Sequence, residues 1–185
     1  MSYLPAADAQ NVAILVYQLW DFGVSLTIPE FVDPLFLTHH VLAATCAYCS
    51  LEWQLFSYYA IYFGGCAELS SIFLVLADVD DMFHLDTTTT NNPQQLLAGI
   101  VEASKGLFVL TFTSVRVIGW MKWSYHVWRD ALEVRQSKSL EQLRKPGASS
   151  VLGMFLVLNV VLGLLQLYWF GMIVVKLIEM AGENI

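Results

Sequence analysis

Charge is what this sequence has least of. Of its 185 residues only 14% are charged while 57% are hydrophobic, and the mean hydropathy is +0.58. Soluble domains carry roughly a quarter charged residues, and a chain of this size folded in water leaves too much surface exposed to be this apolar. Such an apolar composition also argues against disorder. Basic residues are scarcest, nine against sixteen acidic, for a net charge of −7. Without a broad basic face there is nothing to hold a phosphate backbone, which argues against nucleic acid as a partner. Residues 1–10 carry no lysine or arginine, so no cleavable signal peptide is evident and the first apolar helix is expected to direct its own insertion. Neither an Asn-x-Ser/Thr sequon nor an internal repeat is found. Cysteines number three, an odd count, and Cys46, Cys49 and Cys66 all fall in apolar stretches. They read as small packing residues rather than a disulfide or a metal site. What remains is an all-α, polytopic integral membrane protein.

A spanning helix needs about 20 mostly apolar residues. Five stretches qualify, at about 11–28, 35–50, 54–77, 95–123 and 151–178, forming a single transmembrane domain over residues 1–185. Breakers or turn residues lie between them: Pro29, Asp33-Pro34, Pro93 and Pro146-Gly147. The connection from the third to the fourth is expected to be an acidic loop, with Asp78, Asp80, Asp81 and Asp86 followed by four threonines. The connection from the fourth to the fifth, from Arg129 to Lys145, is basic and amphipathic and holds Arg129, Arg135, Lys138, Arg144 and Lys145. By the positive-inside rule this loop faces the cytoplasm or its organellar equivalent, with the amino terminus on the same side.

Ionisable groups inside spanning helices are costly and mark function by default. Here they are Asp21, His39, His40, Glu68, Glu102, Lys105 and Arg116, with Asn159 and Gln166 as uncharged companions. Counting 1.5 Å per residue from the expected helix ends puts His39 and His40 roughly 6–8 Å below the acidic-loop face. Asp21 falls at roughly 10 Å, Glu68 and Lys105 at roughly 15 Å, and Gln166 a little deeper. Matched depth pairs Glu68 with Lys105 and lets Asp21 accept a hydrogen bond from a histidine. Arg116 is expected to snorkel to the basic face. Neighbouring positions on a helix point about 100° apart, so His39 and His40 cannot approach one metal from the same side. One of them could ligate a haem or chlorophyll metal, act as a general base or nucleophile, or only hydrogen-bond. The small residues Ala60, Gly64 and Ala67, and Gly99 with Ala103, mark faces where helices can approach closely.

Four segments resemble the TLC family, which includes the ceramide synthases and the translocating-chain-associated membrane proteins. The segment from Asp33 through His39-His40 to Leu42 resembles its signature, and Tyr17-Gln18-Leu19-Trp20-Asp21 its preceding segment. Glu68-Leu69-Ser70-Ser71 resembles its Glu-x-Ser element and Leu165 to Phe170 its last-helix motif. The resemblance covers roughly residues 12–178 and implies a helical bundle around a lipid-accommodating cavity. The family has six helices and this chain shows five, so the expected cavity is open or closed by other membrane-protein subunits. By position the resemblance nominates His39 and His40 as catalytic, supported by Asp21 and Glu68, with Gln166, Tyr168, Trp169 and Lys105 toward lipid. It implies no metal or cofactor, and acyl-CoA only as co-substrate of a ceramide-synthase-like N-acyl transfer. The longer acidic signature of true synthases does not follow the histidines, which favours the branch tied to lipid sensing and composition. The expected function is binding, sensing or modifying a membrane lipid, in the endoplasmic reticulum first and a mitochondrial or plastid membrane otherwise. The alternative is an accessory subunit of a larger membrane complex, with pigment or lipid ligands.

Overall fold

The computed structural model describes residues 5–29, 32–83, 92–136 and 147–183. They form five helices running alternately up and down. Helix α1 is Pro5–Thr27 and α2 is Pro34–Trp53. Helix α3 covers 57–83 and α4 covers 92–136, each built from successive helical segments. Helix α5 is Ala148–Glu183. Among the described residues no strand occurs.

Every helix outruns the apolar stretch that announces it, because its ends need helical propensity but not apolarity. Helix α1 starts on Pro5, where the missing N–H and fixed φ suit a first turn, and continues through the alanines at 6, 7 and 9. Helix α2 is capped by Asp33, whose carboxylate accepts from the Leu35 N–H at 2.7 Å, again with proline in the first turn. Asp78, Asp80 and Asp81, expected in a loop, belong to the last turns of α3. Helix α4 passes the expected end at Trp123 because its final segment, Trp120–Gln136, is amphipathic and buries Trp120, Val127 and Ala131 along one side. Arg129 and Arg135 therefore lie on helix rather than in the basic loop. His84, Asp86, Thr87–Thr90, Asn91, Lys138, Arg144, Lys145 and Pro146 lie outside the described residues. Gly147 leads into α5 at φ +87°, a conformation only glycine adopts without cost.

Segments 57–77, 95–136 and 148–182 are long and apolar enough to cross a membrane on composition alone. The outer surface bears this out: Val75, Leu96 and Leu164, on three different helices, are each at least 60% exposed. Apolar surface on that scale belongs in lipid.

Packing runs α1 on α2, α2 on α5, α5 on α4, α4 on α3, and the start of α3 back on α1. The five helices thus pack in a ring. The closure is confined to one half of the bundle. Two short π-helical stretches, Ile61–Gly65 in α3 and Phe112–Gly119 in α4, face each other at its middle. Beyond them Leu69–Phe83 and Asn92–Thr111 pair as a hairpin whose backbone makes no extensive contact with α1, α2 or α5. At the closed end the tight turn between α2 and α3 acts as a plug. Its Gln54 and Phe56 take left-handed backbone conformations, at φ 50° and 60°. Such strain costs on the order of 1–3 kcal/mol per residue. It is offset where Leu55 and Phe56 bury against Tyr59, Val127, Ala131, Leu152 and Phe155.

Candidate functional site

Small residues at helical spacing leave a space inside the ring. Ala43 and Ala47 on α2 and Ala60, Gly64 and Ala67 on α3 line a cavity of about 110 Å³. By the usual water-sized measure this holds several waters or a run of methylenes. Along α5 the lining recurs at Phe155, Asn159, Leu162 and Gln166, one face of that helix. From Phe155 to Gln166 the cavity wall rises eleven residues, about 16 Å.

The two ends differ in how their polar groups are satisfied. At the closed end the polar side chains Asn11, Ser50 and Tyr59 that line the cavity have internal partners. Asn11 donates to the Ser50 hydroxyl at 3.0 Å, Ser50 donates to the Leu55 carbonyl at 2.9 Å, and Tyr59 donates to Asp130 at 2.6 Å. At mid-bundle the cavity is walled by Gln18, His39, Glu68, Arg116 and Gln166. There the Nδ1 of His39 and the Oε1 of Gln166 are buried without a hydrogen-bond partner, although Gln166 is only 2% exposed.

The adjacent histidines divide the work as their 100° offset requires. His39 faces the cavity and meets the edge of Trp169, with ring centroids 5.3 Å apart. His40 points instead between α1 and α2. Its Nδ1 lies 2.5 Å from Gln18 Oε1 and its Nε2 lies 3.1 Å from Asp21 Oδ2, with Phe36 packed edge-on at 4.3 Å. The Asp21 contact is close in distance but poorly directed, so Nε2 lacks a well-formed hydrogen bond. A glutamine amide can be turned end for end. With the Gln18 NH₂ donating to Nδ1, a neutral ring carries its proton on Nε2, the nitrogen nearest Asp21. The histidine nearest Asp21 is therefore His40, at 3.1 Å.

Glu68 finds a different partner from the one expected. Arg116 Nη2 donates to Glu68 Oε2 at 3.0 Å and to the Ser71 hydroxyl at 2.8 Å. Arg116 Nε donates to the Ala67 carbonyl and the Ser70 hydroxyl, both at 2.8 Å, and Ser71 donates to Glu68 at 2.8 Å. Arg116 is buried rather than snorkelling to the basic face. Lys105 instead pairs with Glu102 one turn earlier, at 2.8 Å, on the exposed side of α4. Tyr168 is half exposed on the outer surface of α5.

The structure thus gathers His39, Glu68 and Gln166 at the cavity, places His40, Asp21 and Trp169 beside it, and leaves Lys105 and Tyr168 outside. Gln18 is a residue that the sequence reading passed over. Its signal is an amide three residues before Asp21, in the apolar part of α1 that follows Asn11, on the aspartate's face. Among the described residues no three His, Cys, Asp or Glu side chains converge as a metal would need.

The family model of the TLC domain matches residues 9–175, nearly the whole chain. This chain belongs to the TLC-domain family and is an integral membrane protein of that family. Among curated proteins and among solved structures, none matches it at a significant level.

Proposed function

We propose that this protein binds a membrane lipid within its helical ring and acts through that occupancy, as a sensor or carrier in the lipid economy of its membrane. One observation carries the reading: a narrow apolar cavity inside a transmembrane bundle ends at polar atoms that are buried and unpartnered. An apolar chain suits the walls, and a polar group suits the end. The surroundings are hydrocarbon, so lipid is the abundant molecule with both parts.

The test is co-purification. The detergent-solubilised chain should carry a stoichiometric lipid detectable by mass spectrometry. Ala43→Phe, which fills the lining, should release it while the bundle still melts cooperatively. A wild-type protein that purifies free of lipid would refute the reading, and a large particle with further subunits would favour the accessory role.

N-acyl transfer is the finer form of this function, and His39 is the residue in place for it. His39 could accept the proton of an amine attacking an acyl-CoA thioester, while His40, turned away and held by Gln18 and Asp21, would position it. An acyl-CoA-dependent assay with purified protein decides this. Activity abolished by His39→Ala supports transfer, and absence of turnover leaves binding alone. Cell fractionation tests the endoplasmic reticulum as its membrane.

A further inference from the structure

We infer that the lipid is uncharged, with one chain and a headgroup that both donates and accepts hydrogen bonds, a hydroxyl or a carboxamide, seated between His39 and Gln166. This rests on the lipid-cavity reading above and adds the chemical class and direction of the ligand.

Charge decides the first part. Arg116 is the one cation lining the cavity among the described residues, and its charge is matched by a carboxylate. Glu68 neutralises it at 3.0 Å, and Ser70, Ser71 and the Ala67 carbonyl take further N–H donors. A phosphate or carboxylate entering here would bring a charge with no counter-ion into a low-dielectric space. An ammonium group would meet a carboxylate whose charge is already matched by arginine. An uncharged headgroup avoids both penalties.

Hydrogen bonding decides the second. Gln166 is 2% exposed and its Oε1 has no partner, and neither has His39 Nδ1. A buried polar atom left unpaired costs about 1–3 kcal/mol, so these two sites ask for a ligand group. Imidazole nitrogen is a donor or an acceptor by tautomer, and the glutamine amide offers either by rotation. A hydroxyl or carboxamide, being both, fits each combination; an alkane fits none.

Direction follows from the contrast between the ends. Asn11 bonds Ser50, Ser50 the Leu55 carbonyl and Tyr59 the Asp130 carboxylate, so these side chains already have partners. The chain therefore lies toward Phe56 and Phe155, with the headgroup at mid-bundle where the α3–α4 hairpin parts from α1 and α5.

Binding of four ligands of equal chain length to the full-length, detergent-solubilised protein tests this: dodecanol, dodecanamide, dodecyl phosphate and dodecane. Native mass spectrometry reads occupancy, and thermal melting reads stabilisation. Dodecanol and dodecanamide should bind about tenfold more tightly than the other two, as one satisfied buried polar pair implies. In Gln166→Leu, dodecanol should fall to the level of dodecane while dodecane is unchanged. Should that variant fail to fold, the wild-type series still decides. Phosphate or alkane binding as well as the alcohol would overturn the headgroup assignment and leave the lipid cavity standing. Failure of all four to bind would overturn the cavity reading itself.

Discussion

Arg116 shows how much of the site rests on a single residue. Its guanidinium ties the α4 π-helical stretch to α3 through Glu68, Ala67, Ser70 and Ser71. Removing one partner of a buried ion pair strands the other, which costs about 3–5 kcal/mol. Arg116→Leu should therefore lower the melting temperature sharply, while adding Glu68→Gln to that variant should restore at least half the loss. A single variant that melts like wild type, or a double variant no better than the single, would show the pair to be unimportant. Sequence alone pointed to Lys105 as the partner for a physical reason. Lys105 and Arg116 are eleven residues apart, three turns of a regular α-helix, so without the π-helical stretch they would share a face and differ only in depth, by about 16 Å. Depth was counted from helix ends that the structure moves. The Asp21–histidine contact was legible because both residues sit near well-marked ends, at Thr27 and at the Asp33-Pro34 cap. Gln18, which fixes the other side of His40, stands in the sequence only as one member of the Tyr17–Asp21 segment, with nothing there to tie it to a histidine.

At the level of helices, number was legible and shape was not. Five apolar runs gave five helices, since hydropathy reports what must sit in lipid. Hydropathy is silent on the π-helical stretches, where an extra residue is absorbed because tertiary contacts reward it. Tyr62 donates from α3 to the Val115 carbonyl of α4 at 2.5 Å, and Arg116 donates back to the Ala67 carbonyl of α3. Val115, within the α4 stretch, thus supplies a carbonyl to α3, and Ala67, just past the α3 stretch, supplies one to α4. Gly119 permits the crossing, since a Cβ there would collide with the Tyr62 hydroxyl. Gly99 and Gly106 on the same helix have nothing within 4 Å of an added Cβ, so their role in close helix approach, proposed for Gly99 on spacing, finds no neighbour. Gly99→Ala should therefore be neutral or stabilise by up to about 1 kcal/mol through helix propensity. Gly119→Ala should destabilise by displacing Tyr62, and thermal melting of the two variants side by side measures the difference. Equal melting temperatures would mean that the α3–α4 crossing tolerates a side chain and that the π-helical register is incidental.

For the whole molecule, a ring closed at one end and parted at the other meets a chain whose charges are also divided between its ends. The closed end carries the α2–α3 turn, the amino-terminal start of α1 and the ends of α4 and α5 that flank residues 137–146. Those residues, with Arg129 and Arg135 just before them, hold most of the basic charge. The parted end carries Thr27, Pro34, the hairpin tips at 83 and 92, and the end of α5 at Glu183. The positive-inside rule then predicts that the plug faces the cytoplasm and the mouth opens in the opposite leaflet. A lipid would exchange sideways with that leaflet, between the hairpin and α1, without crossing the plug of Phe56 and Tyr59. Glycosylation acceptor tags test the orientation, because the natural sequence contributes no sequon of its own. A tag appended after Ile185 should be modified and one placed before Met1 should not. Modification only at the amino terminus would reverse the bundle and move the mouth to the cytoplasmic leaflet. Modification at both ends would contradict an odd number of crossings and with it the five-helix arrangement.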